Sequence, residues 1–207
     1  MKFKYFVWCL VAALGLVSCS EEDDTTEEFP DWQEKNDNWF SQKVSDAQAK
    51  KTAGDKSVDL FVSYTKPDKN FSYQYFHYVV VEKLTPDYDN SAETEMPLTT
   101  DSVAVSYLGR LIPSADKYKE YGMEFDRTYG DKYDPAVSSP ATMAVSGVVD
   151  GFATALMHMH RGDHWKVYIP YQLGYGTAAK GSIPAYSTLI FDLHLEDFWQ
   201  KNEGDRD

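Results

Sequence analysis

Cysteine is nearly missing from this 207-residue chain: only two are present, Cys9 and Cys19, both near its beginning. Basic residues are also scarce. Twenty Lys and Arg stand against 33 Asp and Glu, a formal charge of −13, and that balance excludes a phosphate-binding face and with it a nucleic-acid partner. The apolar run Tyr5 to Val17 is too short for a comfortable membrane span. No repeat at solenoid periods occurs, so stacked-repeat architectures are excluded. What the chain does have is 43% hydrophobic and 15% aromatic residues, enough for a globular domain with a sizeable core plus an extension.

The first residues, "MKFKYFVWCLVAALGLVSCS", have the order of a secretion signal: Lys2 and Lys4, an apolar run, then small residues. "LVSC" (16–19) resembles a bacterial lipobox, which implies cleavage before Cys19 and acylation of its thiol. Two or three acyl chains on one residue give durable membrane anchoring. Residues 1–18 are then the signal peptide, and Cys9 leaves with it. No disulfide remains available even in an oxidising compartment, so the fold rests on its core. Residues 19–29, including "SEEDDTTEEF", read as an acidic tether. They also resemble acidic surface-export signals of some lipoproteins, with a plain linker as the equal alternative. The location implied is a lipid anchor in the bacterial outer membrane, periplasmic or surface-facing.

Glycine is absent from 30–51, where Trp32, Trp39, Phe40 and Val44 are the apolar points of a helix of moderate amphipathicity. Strand patterns follow in "SVDLFVSYT", "FSYQYFHYVVVEKL", "SVAVSYLG", "HWKVYIP" and "STLIFDLHLEDFW". In the last, Leu189, Phe191, Leu193 and Leu195 alternate with Asp192, His194 and Glu196, the mark of a half-buried antiparallel strand. Val149, Phe152, Ala153, Leu156 and Met159 follow helical spacing, predicting a short helix over 149–160. The reading is α+β: an antiparallel sheet wrapped around one short helix, preceded by an N-terminal helix. Residues 30–69 form that helix and a lead-in strand, 70–200 the principal domain, and 201–207 a charged tail.

Five pieces, in order, carry a family resemblance: "VSYLGRL" (105–111), "FD" (125–126), "PATMAVSGVVDGFATAL" (140–156), "MHRGDHWKVYIPYQLGYG" (159–176) and "GSIPAYSTLIFDLHL" (181–195). Together they cover roughly half the chain, and the sequence resembles FKBP-type peptidyl-prolyl cis/trans isomerases. It looks especially like the bacterial lipoprotein group that includes the macrophage infectivity potentiators. The resemblance implies an FKBP-like fold, proline-containing polypeptides as partners, and macrolide-type inhibitors as ligands. It also implies rotation about Xaa-Pro bonds of extracytoplasmic proteins, which must break amide resonance across a barrier of ~20 kcal/mol. That chemistry requires no nucleophile, metal or cofactor. A pocket accelerates it by gripping the proline ring, excluding water and donating hydrogen bonds that favour the twisted amide.

Carried over from the resemblance, Phe152 is the pocket floor, where many relatives have Trp, and Tyr107, Phe125 and Phe191 are its walls. Val148 and Val149 line one side, with the Val149 N–H meeting a substrate carbonyl. Tyr175 offers its hydroxyl, Ile183 packs from the opposite lip, and Asp126 sits near the Tyr107 hydroxyl and polarises the pocket. Ala141 and Met143 stand where many members carry Phe, which implies a shallower wall. Residues 110–124 form a longer loop than in minimal members, able to gate or extend the cleft. The alternative function is a catalytically weak FKBP-fold chaperone or peptide-binding lipoprotein.

"HMHRGDH" (158–164) superficially resembles a soft-metal clamp. On a helix, His158 and His160 lie about 200° apart and cannot share an ion. His160 and His164 would share a face only if the helix ran through Gly162-Asp163, which reads as a turn. No metal is therefore assigned to this stretch.

Overall fold

The computed structural model describes residues 28–66, 75–85, 95–114 and 118–200. The signal peptide, Cys19, nearly all of the acidic tether and the charged tail lie outside the described residues. Helix α1 (Trp32–Thr52) is followed by strands β1 (Val58–Val62), β2 (Tyr78–Lys83), β3 (Asp101–Leu111), β4 (Glu124–Arg127) and β5 (Ala141–Ala144). Then come the short helix α2 (Asp150–Leu156) and strands β6 (His164–Ile169) and β7 (Leu189–Gln200). All pairings are antiparallel, in the order β1-β2-β6-β7-β3-β4 with β5 also on β3. This is the α+β arrangement expected, one sheet curled about one short helix. The lead-in strand β1 is the edge of that same sheet, paired from Val58↔Glu82 to Val62↔Tyr78.

Strand alternation divides the molecule into two apolar layers. Val79 and Val81 of β2, Trp165, Val167 and Ile169 of β6, and Leu189, Phe191, Leu193 and Leu195 of β7 face inward. There they bury Phe152, Ala153 and Leu156 of α2. Val80 and Tyr168 face the other way and form a second cluster with Phe40, Val44 and Ala47 of α1. The inward rhythm of β7 slips from Leu195 to Phe198, because a bulge lets Glu196 loop out between the pairs Val105↔Leu195 and Ala104↔Asp197.

Helix α1 buries Trp32, Asn36, Phe40, Val44 and Ala47, a stripe at spacings of four, four, four and three residues with one polar member. Asn36 is fully buried, and its amide donates to Trp32 O at 2.7 Å while its Oδ1 accepts from Thr188 N–H at 2.7 Å. Trp32 Nε1 donates to Ser187 Oγ at 2.8 Å. The helix thus braces the segment that leads into β7.

Helix α2 is shorter than 149–160: it ends at Leu156. Its last carbonyls turn to tighter bonds, accepting from His158 N–H and Met159 N–H at 2.9 and 3.1 Å. Met159 is nonetheless fully buried, Gly162 takes a left-handed φ of 85°, and His164 opens β6. No helix among the described residues is long and apolar enough to cross a membrane.

Candidate functional site

A cleft of about 210 Å³ opens between α2 and the inner face of the sheet. It is lined by Tyr107 of β3, Phe125 and Asp126 of β4, Met143 of β5, Gly147, Val148, Val149, Phe152 of α2, Tyr175 and Phe191 of β7. Eight of the nine pocket residues carried over from the resemblance are among them. Ile183 is not: it is buried in the main core, its N–H donating to Lys180 O at 3.0 Å. The tight turn closed by that bond and its reciprocal draws the side chain inward.

Ring geometry defines the floor and walls. Phe191 is the hub, meeting Phe152 at 4.8 Å, Phe125 at 5.5 Å and Tyr107 at 5.8 Å, each edge to face. Tyr107 also meets Phe152 edge-on at 6.0 Å. Such mutually perpendicular rings pack favourably and leave a concave aromatic surface rather than a filled core.

Gly109 makes one of these contacts possible. A Cβ there would lie 2.6 Å from the Phe125 ring and 3.0 Å from Phe191. A bulge between the pairs Gly109↔Asp126 and Arg110↔Glu124 adds Phe125 to β4 as an extra residue. The Phe125 ring then lies over the bare backbone of β3. Sequence reasoning passed over Gly109; a lone glycine inside a strand pattern is the signal that could have found it.

Polar groups occupy the rim. Tyr107 donates its hydroxyl to Asp126 Oδ2 at 2.7 Å, while Arg127 N–H donates to Asp126 Oδ1 at 2.9 Å. Thr128 clamps the strand beneath, its hydroxyl accepting from Tyr107 N–H at 2.8 Å and its own N–H donating to Tyr107 O at 3.0 Å. Burial first, then the hydrogen bond and charge of Asp126, push the Tyr107 phenol well above the ordinary tyrosine range. Tyr175, 40% exposed at the mouth, is raised by burial and then by the Asp126 charge. Both phenols therefore remain hydrogen-bond donors.

The loop that carries Tyr175 is pinned on both sides: Gly176 N–H donates to Tyr171 O at 2.8 Å, and Gly176 O accepts from Tyr186 N–H at 3.0 Å. Gly176 holds a left-handed φ of 75°, which glycine adopts without strain.

Val149 caps α2 in extended conformation, its carbonyl accepting from Phe152 and Ala153 N–H. Its N–H therefore belongs to the backbone that enters the helix beside the Phe152 ring. Ala141 does not line the cleft, and Met143 does. The described part of 110–124 stays off the cleft. It packs back through Leu111 N–H, which donates to Met123 O at 2.9 Å.

The histidines of "HMHRGDH" are dispersed. His158 stacks on Phe61 at 4.0 Å, with Nδ1 2.8 Å from Thr154 O. His160 N–H donates to Asp163 at 2.8 Å, and His164 turns to Asp192 on β7.

Comparison with known proteins adds the family. The "FKBP-type 22 kDa peptidyl-prolyl cis-trans isomerase" of Escherichia coli K12 is 37% identical over 107 residues, covering 51% of this chain and 45% of that protein. The "Outer membrane protein MIP" of Legionella longbeachae is 37% identical over 100 residues, covering 48% of this chain and 37% of its own. This chain thus spans less than half the length of either relative. The crystal structure of FkpA from Escherichia coli aligns with a TM-score of 0.48 at 26% identity, over 82% of this chain and 65% of that one. The family model for FKBP-type peptidyl-prolyl cis-trans isomerase matches residues 93–196, which include every residue lining the cleft. With half of its length matched by that model, the chain belongs to the FKBP-type peptidyl-prolyl cis-trans isomerase family.

Proposed function

We propose that the protein is a peptidyl-prolyl cis/trans isomerase acting on Xaa-Pro bonds of extracytoplasmic polypeptides. The observation that carries this is the convergence of Tyr107, Phe125, Phe152 and Phe191 on one cleft with polar groups only at its rim. A pyrrolidine ring settles on Phe152 between the walls, losing water as it does so. The planar amide is stabilised in part by solvation of its polarised oxygen, so a dry cleft favours the twisted, less polar state. Val149 N–H and the Tyr175 hydroxyl supply hydrogen bonds to substrate carbonyls flanking the bond, holding the peptide in a turn. The Tyr107–Asp126 pair fixes the wall and presents negative potential at the rim. Every one of these effects is binding energy applied more strongly to the twisted amide than to the planar one.

Lipidation of Cys19 anchors the protein, with the acidic tether spacing the domain from the outer membrane. Macrolide-type inhibitors, implied by the family resemblance, occupy the same cleft. Helix α1 serves as a brace on the domain's outer face.

The test is exchange between cis and trans forms of a short Xaa-Pro peptide, followed by NMR with micromolar protein. Acceleration above the uncatalysed ~10–100 s is expected. Phe152→Ala, folded by circular dichroism, should lose more than about tenfold in kcat/KM, equivalent to ~1.4 kcal/mol of transition-state stabilisation. Binding of proline peptides without acceleration would identify a chaperone-like binding module instead. An unchanged rate in Phe152→Ala would move the site elsewhere.

A further inference from the structure

On the face of the sheet opposite the cleft, β6 and β7 bring together three metal-ligating side chains that the isomerase chemistry does not use. His164 is paired directly with His194 across the two strands. Asp192 stands two residues before His194 and so projects from the same face. One ligand atom from each of the three lies within 4.8 Å of the others. His164 Nε2 is 2.8 Å from Asp192 Oδ1, and His194 Nε2 is 3.5 Å from the same oxygen.

We propose that His164, Asp192 and His194 form a binding site for a divalent transition metal of the zinc class, bridging β6 and β7 behind the cleft. Two imidazoles and a carboxylate are a donor set suited to zinc, with three protein ligands leaving a fourth position for water. His194 Nε2 is buried, and its nearest polar approach, 3.5 Å to Asp192 Oδ1, is too long for a well-formed hydrogen bond. A buried ring nitrogen without a close partner beside a carboxylate calls for one, and an ion held between them supplies it.

The surroundings are those of a supported site. His164 N–H donates to Thr85 Oγ1 at 2.7 Å, and the Tyr129 hydroxyl donates to Asp192 Oδ1 at 3.2 Å. Tyr133 stacks on His194 at 3.6 Å, and His194 stacks on His164 at 3.7 Å. Ligands on two paired strands are held more firmly than ligands on loops. Metal–nitrogen distances of ~2.0–2.1 Å require the two rings to leave their parallel stack and converge. His164, whose side chain is 30% exposed, has room to tilt, while His194 at 12% is held by Tyr133. An ion here ties β6 to β7 and, through Tyr129 and Tyr133, secures the segment between β4 and β5 that borders the cleft wall.

The site is tested on the full chain with its thiols alkylated, by titrating Zn²⁺ in competition with a chromophoric chelator. One equivalent should bind, with affinity falling about tenfold or more in His164→Gln and in Asp192→Asn. Peptide isomerisation should be unchanged in both variants, which makes failure here separable from failure of the isomerase proposal. Absence of a saturable equivalent, or affinity unchanged by both substitutions, overturns the site. Should either variant fail to fold, Co²⁺ bound to the wild-type chain decides. Intense visible absorption of four- or five-coordinate cobalt supports the site, and the weak bands of a six-coordinate aquo ion reject it.

Discussion

Gly109 and Phe125 show how one missing methyl group shapes the cleft. A Cβ at 109 would sit 2.6 Å from the Phe125 ring, well inside contact distance. Gly109→Ala should therefore push Phe125 off Phe191 and open the wall, costing about 1–3 kcal/mol as an overpacked site. Denaturant titration reads that loss, and KM for a proline peptide should rise. Unaltered stability and KM would show that the ring yields freely.

Tyr107 supplies a prediction about pH. Its folded-state phenol is raised above the unfolded value, so the stabilisation from its bond to Asp126 is complete below the unfolded value. That stabilisation is lost only as pH climbs through the higher folded one. The isomerisation rate should accordingly show no alkaline limb near pH ~10, where a free tyrosine would ionise. A limb at that pH that disappears in Tyr107→Phe would contradict the assignment.

At the scale of elements, α1 is the addition that distinguishes this chain from a bare sheet-and-helix domain. Its Lys43 donates to Glu82 Oε1 at 2.6 Å, and Tyr168 donates to Glu82 Oε2 at 2.7 Å. Burial opposes ionisation of Glu82, but those two hydrogen bonds and the Lys43 charge prevail and hold its carboxyl below the usual range. A depressed folded value means stabilisation present above the unfolded carboxylate range of ~4.3 and lost as pH falls through the folded value. Glu82→Gln should cost about 1.5 kcal/mol at neutral pH. The difference from wild type in thermal midpoint should shrink as the buffer is taken below pH ~4. A gap that persists in acid would assign the stabilisation to packing rather than to charge.

The expected helix over 30–51 agrees with α1 to within two residues at its beginning and one at its end. Its buried face was only partly legible, because the stripe includes Asn36 and Ala47, which carry little apolar signal. Asn36 is explained only by Thr188, far along the chain, whose N–H it satisfies. For the same reason α2 reads longer than it is: Met159 keeps the helical spacing and is buried, yet it sits beyond the last α-helical turn.

For the molecule as a whole, both cysteines precede the described residues, so nothing in the sheet, helices or cleft depends on a thiol. If Cys19 is the lipid anchor, Cys19→Ala should move the protein from the detergent phase to the aqueous phase on phase partition. Isomerase activity should be unchanged, since the cleft lies in the 93–196 match. Retention in the detergent phase would assign membrane attachment to another segment.

Sequence patterning indicated the fold class and the main strands, whereas the nine candidate pocket residues came from the family resemblance, and eight of them line the cleft. Local alternation, helical spacing and short motifs are properties of near neighbours in the chain. Tertiary structure alone decided what depends on distant strands meeting. It turned Ile183 into the core and laid Phe125 over Gly109 through a bulge. It shifted the inward face of β7 at Glu196, so that Phe198 is buried where strict alternation points Asp197 inward. It also set His164, which the pattern already placed at the start of a strand, beside Asp192 and His194. Register between strands places them together, and register is fixed by the packing of the whole sheet.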